Sequence, residues 1–203
     1  MNDCLKKVTV ADSGYSLELN SGISLATDCI VLGIGITPNI ALAQEAGIEV
    51  GNGVIVSKDM RTSDADIFAV GDIVCVLNEH AGQGERLESW QNANVTATIA
   101  AAAICGAPLP PVEVPWFWSD QHDANIQVVG WPMRADKTIW RETDETIVAF
   151  YLLHGKLIGA CTLNVGGDIS VIRRMMNVGI SPSAGDLTDP RIKLRGILKA
   201  MKT

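Results

Sequence analysis

Apolar and polar positions in the first part of the chain fall into short runs that predict strands. Residues 8–10 and 15–19 alternate with a period of two and are followed by a turn at residues 20–22, which predicts a small β-meander. Residues 28–33 form a nearly continuous apolar run, typical of a strand covered on both faces. Residues 67–70 predict another short apolar strand, which runs directly into Gly71-Asp72.

Helical patterns lie between these runs and after them. Residues 40–46 predict a short helix, and residues 48–56 predict a hairpin hinged at a Gly-Asn-Gly turn. The longest helix is predicted over residues 88–105, rich in alanine and followed by Gly106 as a C-terminal stop. Strands mixed with helices in this way indicate an α/β arrangement.

The pattern changes after a proline-rich linker at residues 107–115. A period of two then predicts five strands and an antiparallel sheet, closed by a helix over residues 168–177. The predicted strands cover residues 116–119, 126–129, 137–141, 147–152 and 157–163. The predicted fold class is therefore α/β followed by α+β with an antiparallel sheet.

Composition narrows the functional classes. The chain has 203 residues, 47% hydrophobic and 19% charged, which is enough for a buried core. Its longest apolar stretch falls well short of the roughly 20 residues of a membrane span, and no signal sequence follows Met1. We therefore expect no membrane association and a cytoplasmic location. Five cysteines without a C-x-x-C pair suggest neither a disulfide framework nor a metal site.

Charge is unevenly distributed along the chain. The formal net charge of −7 argues against nucleic-acid binding. Residues 1–133 carry 5 Lys and Arg against 16 Asp and Glu, whereas residues 134–203 carry 11 against 7. The first part is thus at −11 and the second at +4. This split indicates either two modules that face different partners or two unrelated solvated surfaces.

No complete nucleotide-binding or catalytic motif is present. Three G-x-G starts occur, but the third glycine of G-x-G-x-x-G is replaced each time. These starts are Gly33-Ile-Gly35, Gly51-Asn-Gly53 and Gly82-Gln-Gly84, with Pro38, Val56 and Leu87 at the third positions. Metalloprotease, hydrolase and kinase signatures are missing as well, so we predict no catalytic acid, base, nucleophile or metal ligand.

The segment from Thr62 to Asp72, ending Ile-Phe-Ala-Val-Gly-Asp, is the most distinctive feature. A strand ending in Gly71-Asp72 would bring a carboxylate to the carboxyl edge of a sheet, where open α/β folds bind ligands. Such a carboxylate suits the hydroxyls of a polyol. The same residues also suit an ordinary turn.

This segment resembles, residue for residue, the T-x-x-x-x-I-F/Y-A-x-G-D motif of FAD-dependent reductases that serve ferredoxin, rubredoxin or putidaredoxin-type carriers, in the pyridine nucleotide-disulfide oxidoreductase superfamily. Two further segments are similar to the same family: Arg86-Leu-Glu-Ser-Trp-Gln-Asn-Ala93 and Val114-Pro-Trp-Phe-Trp-Ser-Asp-Gln121. Residues 26–39 look like the family's return from the NADH domain. The resemblance spans about residues 25–163 and only the second half of such a reductase.

The resemblance implies a division into three parts: residues 1–35 as the tail of an NADH domain, 36–109 as the second segment of an FAD domain, and 110–203 as the reductase C-terminal domain. It implies a partial Rossmann-like domain that binds FAD and NAD(P), followed by a reductase C-terminal domain built on the antiparallel sheet. It also implies FAD as cofactor and NADH as co-substrate. The cofactor-binding residues it implies are Gly71, Asp72, Glu88, Ser89, Trp90, Ala93, Trp116 and Trp118.

The implied activity is electron transfer from NADH through FAD to a ferredoxin-type iron-sulfur protein of an oxygenase system. Without complete glycine loops, we expect the chain alone to be inactive, and a missing N-terminal half or a homodimer to be its partner. The alternative is a non-catalytic fragment without flavin.

Individual residues also have structural interpretations. The tryptophans suit core packing, and Glu88 suits the helix N-terminus. Arg173 and Arg174 lie in the basic segment and would steer an acidic carrier.

Overall fold

The computed structural model describes residues 3–77 and 84–200, so Gly82 and the glutamine after it in the third G-x-G start lie outside the described residues. The chain divides into two compact units, Met1–Thr37 and Pro38–Thr203. The first unit is an antiparallel sheet in the order β1-β2-β3. Its strands are β1 (Leu5–Val10), β2 (Tyr15–Leu19) and β3 (Ser24–Thr27). The predicted meander is confirmed, with one additional strand.

The predicted strand at residues 28–33 is wrong. No strand forms there, and the apolar side chains are in solvent, with Val31 91% and Leu32 71% exposed. Ile34 is 86% exposed. A strand buried on both faces requires neighbouring strands and covering layers. Among the described residues, no strand pairs with this segment, so its pattern is left without the partners that would make it a strand.

The second unit begins with a short helix and a small mixed sheet in the order β4-β5-β6-β7. Its elements are α1 (Ala41–Glu45), β4 (Val50–Gly51), β5 (Gly53–Val56), β6 (Val74–Leu77) and β7 (Gly84–Glu85). β4 and β5 form the predicted hairpin, whereas β5 and β6 run parallel. The short helix and the hairpin are thus confirmed at closely similar positions.

The strand predicted at residues 67–70 is also wrong. Phe68 makes only an isolated bridge to Arg61, and Gly71–Ile73 is a single 3-10 turn. The strand is β6, where Val74 and Cys75 are buried beside β5. Gly71-Asp72 therefore precedes a strand and lies at its amino end, not at the carboxyl edge. The positive φ of 82° at Gly71 ends the extended backbone before β6 begins.

The long helix is confirmed as α2 (Trp90–Ile104). It begins two residues later than predicted because the Ser89 side chain caps it, accepting the N–H of Asn92 at 3.1 Å. Gly106, with φ 64°, follows its last turn. Ile99 and Ala100 bury the small-residue face against the mixed sheet.

The predicted antiparallel sheet is confirmed, with all five strands in the order β10-β11-β12-β9-β8. They are β8 (Trp116–Gln121), β9 (Ala124–Gly130), β10 (Lys137–Glu142), β11 (Ile147–Leu153) and β12 (Lys156–Leu163). The predicted closing helix is α3 (Gly166–Asn177). Its Ile172 and Met175 are fully buried with Phe150 of β11. A 3-10 turn, Pro132–Arg134, links β9 to β10.

Two short helices, α4 (Ala184–Thr188) and α5 (Leu194–Ala200), were not predicted from the sequence. The buried Arg141 of β10 donates to the Asp186 and Leu187 carbonyls of α4 at 2.6 and 2.7 Å, and to the Ile192 carbonyl, two residues before α5, at 3.1 Å. Burial lowers the pKa of Arg141 from its ordinary value. The guanidinium thus satisfies backbone groups that a short helix leaves unpaired.

The elements confirm the predicted fold class: a mixed α/β part followed by an α+β part with an antiparallel sheet. None of the helices in residues 3–77 and 84–200 has the length and apolar character needed to span a bilayer.

Candidate flavin-facing site

The turn at Gly71-Asp72 packs against the first half of α2. The Gly71 N–H donates to the buried Thr96 hydroxyl at 2.9 Å. A Cβ on Gly71 would lie 4.0 Å from the Ala93 Cβ, so Ala93 gives the turn its close approach to the helix. Arg86 donates to the Asp72 carbonyl at 3.3 Å. The Asp72 side chain is exposed, so its carboxylate is available to accept hydrogen bonds.

Three tryptophans form an exposed cluster between α2 and β8, called here the tryptophan cluster. The rings of Trp116 and Trp118 stack with centroids 5.0 Å apart, because residues two apart share one face of a strand. The Trp90 ring meets Trp118 edge-on, with centroids 6.1 Å apart. Trp90 is 70% exposed and Trp118 is 42% exposed, whereas Trp116 packs against the core of the antiparallel sheet.

Side-chain amides position this cluster. The Trp116 backbone N–H donates to Gln91 Oε1 of α2 at 3.1 Å, which ties the tryptophan strand to the helix carrying Trp90. The Trp116 indole donates to Gln127 Oε1 at 3.4 Å. Sequence reasoning missed Gln91 and Gln127, because nothing in the local pattern indicates a bond across 25 residues.

A shallow pocket of about 170 Å³ opens beside the cluster, lined by Glu88, Ser89, Trp90, Phe117 and Trp118. The Glu88 carboxylate pairs with Arg86, and Ser89 is the helix cap already described. Phe117, 45% exposed, was not among the residues implied by the sequence. Four of the eight implied residues thus share one pocket, and Trp116 stacks on Trp118 at its side. Gly71 and Asp72 lie outside the pocket lining, in the turn that packs against α2 near Ala93.

A second contact joins the mixed sheet to the C-terminal part. Glu85 of β7 accepts from the Trp131 indole and from Arg134, each at 3.1 Å. The Arg134 guanidinium also lies 5.9 Å from the Trp131 ring centroid. These contacts of Glu85 with Trp131 and Arg134 help to fix the antiparallel sheet that carries β8 relative to the segment before α2. The sequence offered no signal for it.

Of the two arginines expected to steer a carrier, Arg173 holds the linker instead. Its guanidinium donates to the Val114 carbonyl at 3.0 Å and pairs with Glu113. Asn177, one turn further along α3, accepts the Val114 N–H at 3.2 Å. These contacts from α3 fix the end of the linker where it enters β8. Arg174, the second of the two arginines, is exposed.

The residues of this site fit a flavin in kind. Trp90 offers a flat, mostly uncovered aromatic surface at the start of α2, and the adjoining turn offers an exposed carboxylate. Within the described residues, no group of His, Cys, Asp and Glu forms a metal-binding cluster. The arrangement suits binding of a planar, hydroxyl-bearing molecule more than it suits acid-base chemistry.

Two family models match successive parts of the chain. The family model of the pyridine nucleotide-disulphide oxidoreductases matches residues 1–97, and that of the reductase C-terminal domain matches residues 116–198. The chain spans about half the length of the solved structures it resembles.

Among those structures, the putidaredoxin reductase in a covalent complex with putidaredoxin is 30% identical, with a TM-score of 0.86. The match covers 93% of this chain and 46% of the chain in that structure. The ferredoxin reductase for the CYP199A2 system from Rhodopseudomonas palustris is 30% identical with a TM-score of 0.89, covering 97% of this chain and 49% of its own. Fdr9 is 28% identical with a TM-score of 0.79, covering 92% and 50%.

A NAD-dependent persulfide reductase from A. fulgidus, at 19% identity and a TM-score of 0.76, shares the fold alone. The two family models follow one another in the order that the sequence motifs implied, and the resemblance is confirmed. The two family models, together with the two solved structures at 30% identity, support a fragment of a pyridine nucleotide-disulphide oxidoreductase that ends in a reductase C-terminal domain.

Proposed function

We propose that this chain supplies one face of the FAD site in a reductase that passes electrons from NADH through FAD to a ferredoxin-type iron-sulfur protein. The observation that carries the proposal is the tryptophan cluster on α2 and β8, together with the Gly71-Asp72 turn, which packs against the same helix α2. An indole that is 70% exposed presents apolar surface without a cover in this chain.

Each residue has a distinct role in this proposal. The Asp72 carboxylate accepts hydrogen bonds from the ribityl hydroxyls, and Gly71 lets the cofactor approach the backbone. Trp90 and Trp118 wall the isoalloxazine ring, with Trp116 stacked behind them. Ala93 keeps α2 close to the turn.

Glu88 and Ser89 contribute indirectly. The Glu88 carboxylate is held by Arg86, and Ser89 caps the helix, so both fix the first turn of α2 on which Trp90 lies. We assign them as positioning residues that line the pocket, a narrower role than direct cofactor binding.

FAD, when bound, accepts a hydride from NADH and releases electrons one at a time. The residues of this chain orient the ring, exclude water from one of its faces and accept hydroxyl hydrogen bonds. None of them is required as a general acid, base or nucleophile.

The proposed partners follow from the same reasoning. One of the similar solved structures is a reductase in covalent complex with putidaredoxin, which supports a ferredoxin-type acceptor. The exposed apolar residues Val31, Leu32 and Ile34 support a polypeptide partner that pairs with this segment. We propose the N-terminal half of a reductase of this family for that role, with a homodimer as the competing possibility. The three-part division at residues 35 and 109 belongs to the same proposal.

A fluorescence titration with FAD tests the proposed site. We expect FAD to quench tryptophan emission saturably, and Asp72→Asn to weaken binding about tenfold, the effect of losing a charge-assisted hydrogen bond. Asp144→Asn, an exposed carboxylate in the turn between β10 and β11, is the matched control and leaves binding unchanged. Equal weakening by both variants, or no quenching at any FAD concentration, would contradict the proposal.

Gel filtration with excess FAD separates this proposal from two others. We expect weak retention and no NADH-driven ferricyanide reduction, because the chain has no complete G-x-G-x-x-G loop for the pyrophosphate. Stoichiometric retention with ferricyanide reduction would show that the chain is active by itself. Complete absence of flavin binding would favour a non-catalytic fragment.

A further inference from the structure

A cleft of about 410 Å³ lies between α3 and α5, outside the tryptophan cluster. α3 lines it with Ser170, Val171 and Arg174, and α5 lines it with Arg195, Leu198 and Lys199. Ser170 and Arg174 are one turn apart, as are Arg195 and Lys199, so each helix presents one stacked pair to the cleft. The two pairs bring three cationic side chains around one opening.

Every charged residue that lines this cleft is cationic. No carboxylate is among the residues that line it. Arg173, the neighbour of Arg174, is engaged with Glu113 and the Val114 carbonyl. In contrast, neither Arg174 nor Arg195 pairs with a carboxylate in residues 3–77 and 84–200.

The inner wall of the cleft is apolar. Val171 and Leu198 belong to the core of the C-terminal part, and each is 7% exposed. Because both side chains are almost fully buried, they expose little surface to the cleft, and the aliphatic stems of its arginine and lysine side chains supply further apolar lining. A ligand with an apolar body attached to an oxyanion would cover the aliphatic wall and bring its charge to the rim.

We propose that the cleft between α3 and α5 binds an amphiphilic oxyanion, with its phosphate or carboxylate between Arg174 and Arg195 and its apolar part against Val171 and Leu198. Planar guanidinium groups match the oxygens of phosphate and carboxylate in paired hydrogen bonds. The Ser170 hydroxyl already donates to the Gly167 carbonyl at 3.1 Å, so the arginines carry the recognition.

This site is independent of the proposed flavin function. Its residues come from α3 and α5, and none of them belongs to the turn, to α2 or to β8. Variants of the cleft therefore leave FAD quenching unchanged, which separates a failure here from a failure of the flavin site.

Titration calorimetry with monomeric octyl phosphate tests the proposal on the chain itself. We expect saturable 1:1 binding that Arg174→Gln/Arg195→Gln weakens by about tenfold or more, through loss of both charge-assisted contacts. The matched control is Lys137→Gln/Lys156→Gln, which removes the same formal charge from the β10 and β12 strands. Inorganic phosphate is expected to bind at least about tenfold more weakly than octyl phosphate, because it lacks the apolar body.

A second arm uses vesicles of phosphatidylcholine with and without phosphatidic acid, to distinguish a free amphiphile from a lipid headgroup. Arginine-dependent binding of octyl phosphate alone supports a free ligand, and arginine-dependent binding to the acidic vesicles supports a headgroup. Absence of binding in both arms would overturn the proposal. Equal weakening by the two double variants, or equal affinity for inorganic phosphate, would overturn it as well.

Discussion

Replacing Trp90 with leucine separates its proposed ligand contact from its contribution to folding. Trp90 is 70% exposed, so only about three-tenths of its surface is covered in this chain. A fully covered tryptophan buries about 150–250 Å², which leaves about 45–75 Å² for Trp90 and about 1–2 kcal/mol at about 25 cal/mol per Å². Leucine retains part of this contact, so the loss of unfolding free energy is at most about 2 kcal/mol.

The expected effect on flavin binding is larger than the effect on stability. Stacking of a planar heterocycle on an aromatic side chain contributes about 1–3 kcal/mol, or about 5- to 150-fold in affinity. Trp90→Leu is therefore expected to weaken FMN binding by at least about fivefold while the chain stays folded.

Trp140→Leu provides the matched control. Trp140 is 54% exposed and lies on β10, at the opposite edge of the antiparallel sheet from β8. Calorimetric titration with FMN measures affinity without relying on tryptophan emission, and urea unfolding measures stability. Unchanged FMN affinity in Trp90→Leu, or an equal loss in Trp140→Leu, would refute the assignment of the ring-facing surface.

Three further predictions concern structural features of the chain. Arg141→Met is expected to lower the unfolding free energy by about 3 kcal/mol or more, since three backbone carbonyls lose their donor. Urea unfolding measures this loss, with Arg195→Met as the exposed control. Ser89→Ala is expected to cost about 1 kcal/mol through loss of the α2 cap, whereas Ser89→Asp retains most of it; equal stability of both variants in urea would contradict the capping role. Hydrogen bonds from Arg191 lower the pKa of Asp189 from 3.8 to about 2, so the stabilising contribution of Asp189 is complete above about pH 4 and is lost as the pH falls toward 2. Asp189→Asn is expected to reduce the pH dependence of the unfolding free energy in that window. An unchanged pH profile would refute this prediction.

Local pattern determined the strands whose partners are close along the chain. The five strands of the antiparallel sheet were predictable because each has a period of two and β11 and β12 are joined by a tight turn. Residues 67–70 and β6 are both short apolar runs, and the local sequence does not indicate which of them forms the strand. Pairing of β6 with β5, distant in sequence, decides between them. Residues 28–33 pair with no strand in the described sheets, so their apolar pattern alone does not make a strand.

The short helices α4 and α5 show the same limit. Each is too short to be stable by propensity. The position of α4 depends on Arg141, more than forty residues away, and α5 depends on burial of Leu194 and Leu198 in the core. No pattern within residues 184–200 indicates that dependence.

The candidate site was predictable only where residues are part of a motif. The motifs identified the tryptophans and the Gly71-Asp72 turn, whereas Gln91 and the Glu85 contact with Trp131 are tertiary interactions without a local signature. The sheet edge assigned to Asp72 was wrong because it depended on the misplaced strand before it.

The central claim, that the tryptophan cluster faces a flavin, is tested most directly by NMR of the five tryptophan indole N–H groups during titration with FMN. If the cluster faces a flavin, the Trp90 and Trp118 resonances shift saturably with FMN, while those of Trp131 and Trp140 stay in place. Shifts confined to Trp131 or Trp140, or no shift in any of the five resonances, would contradict it.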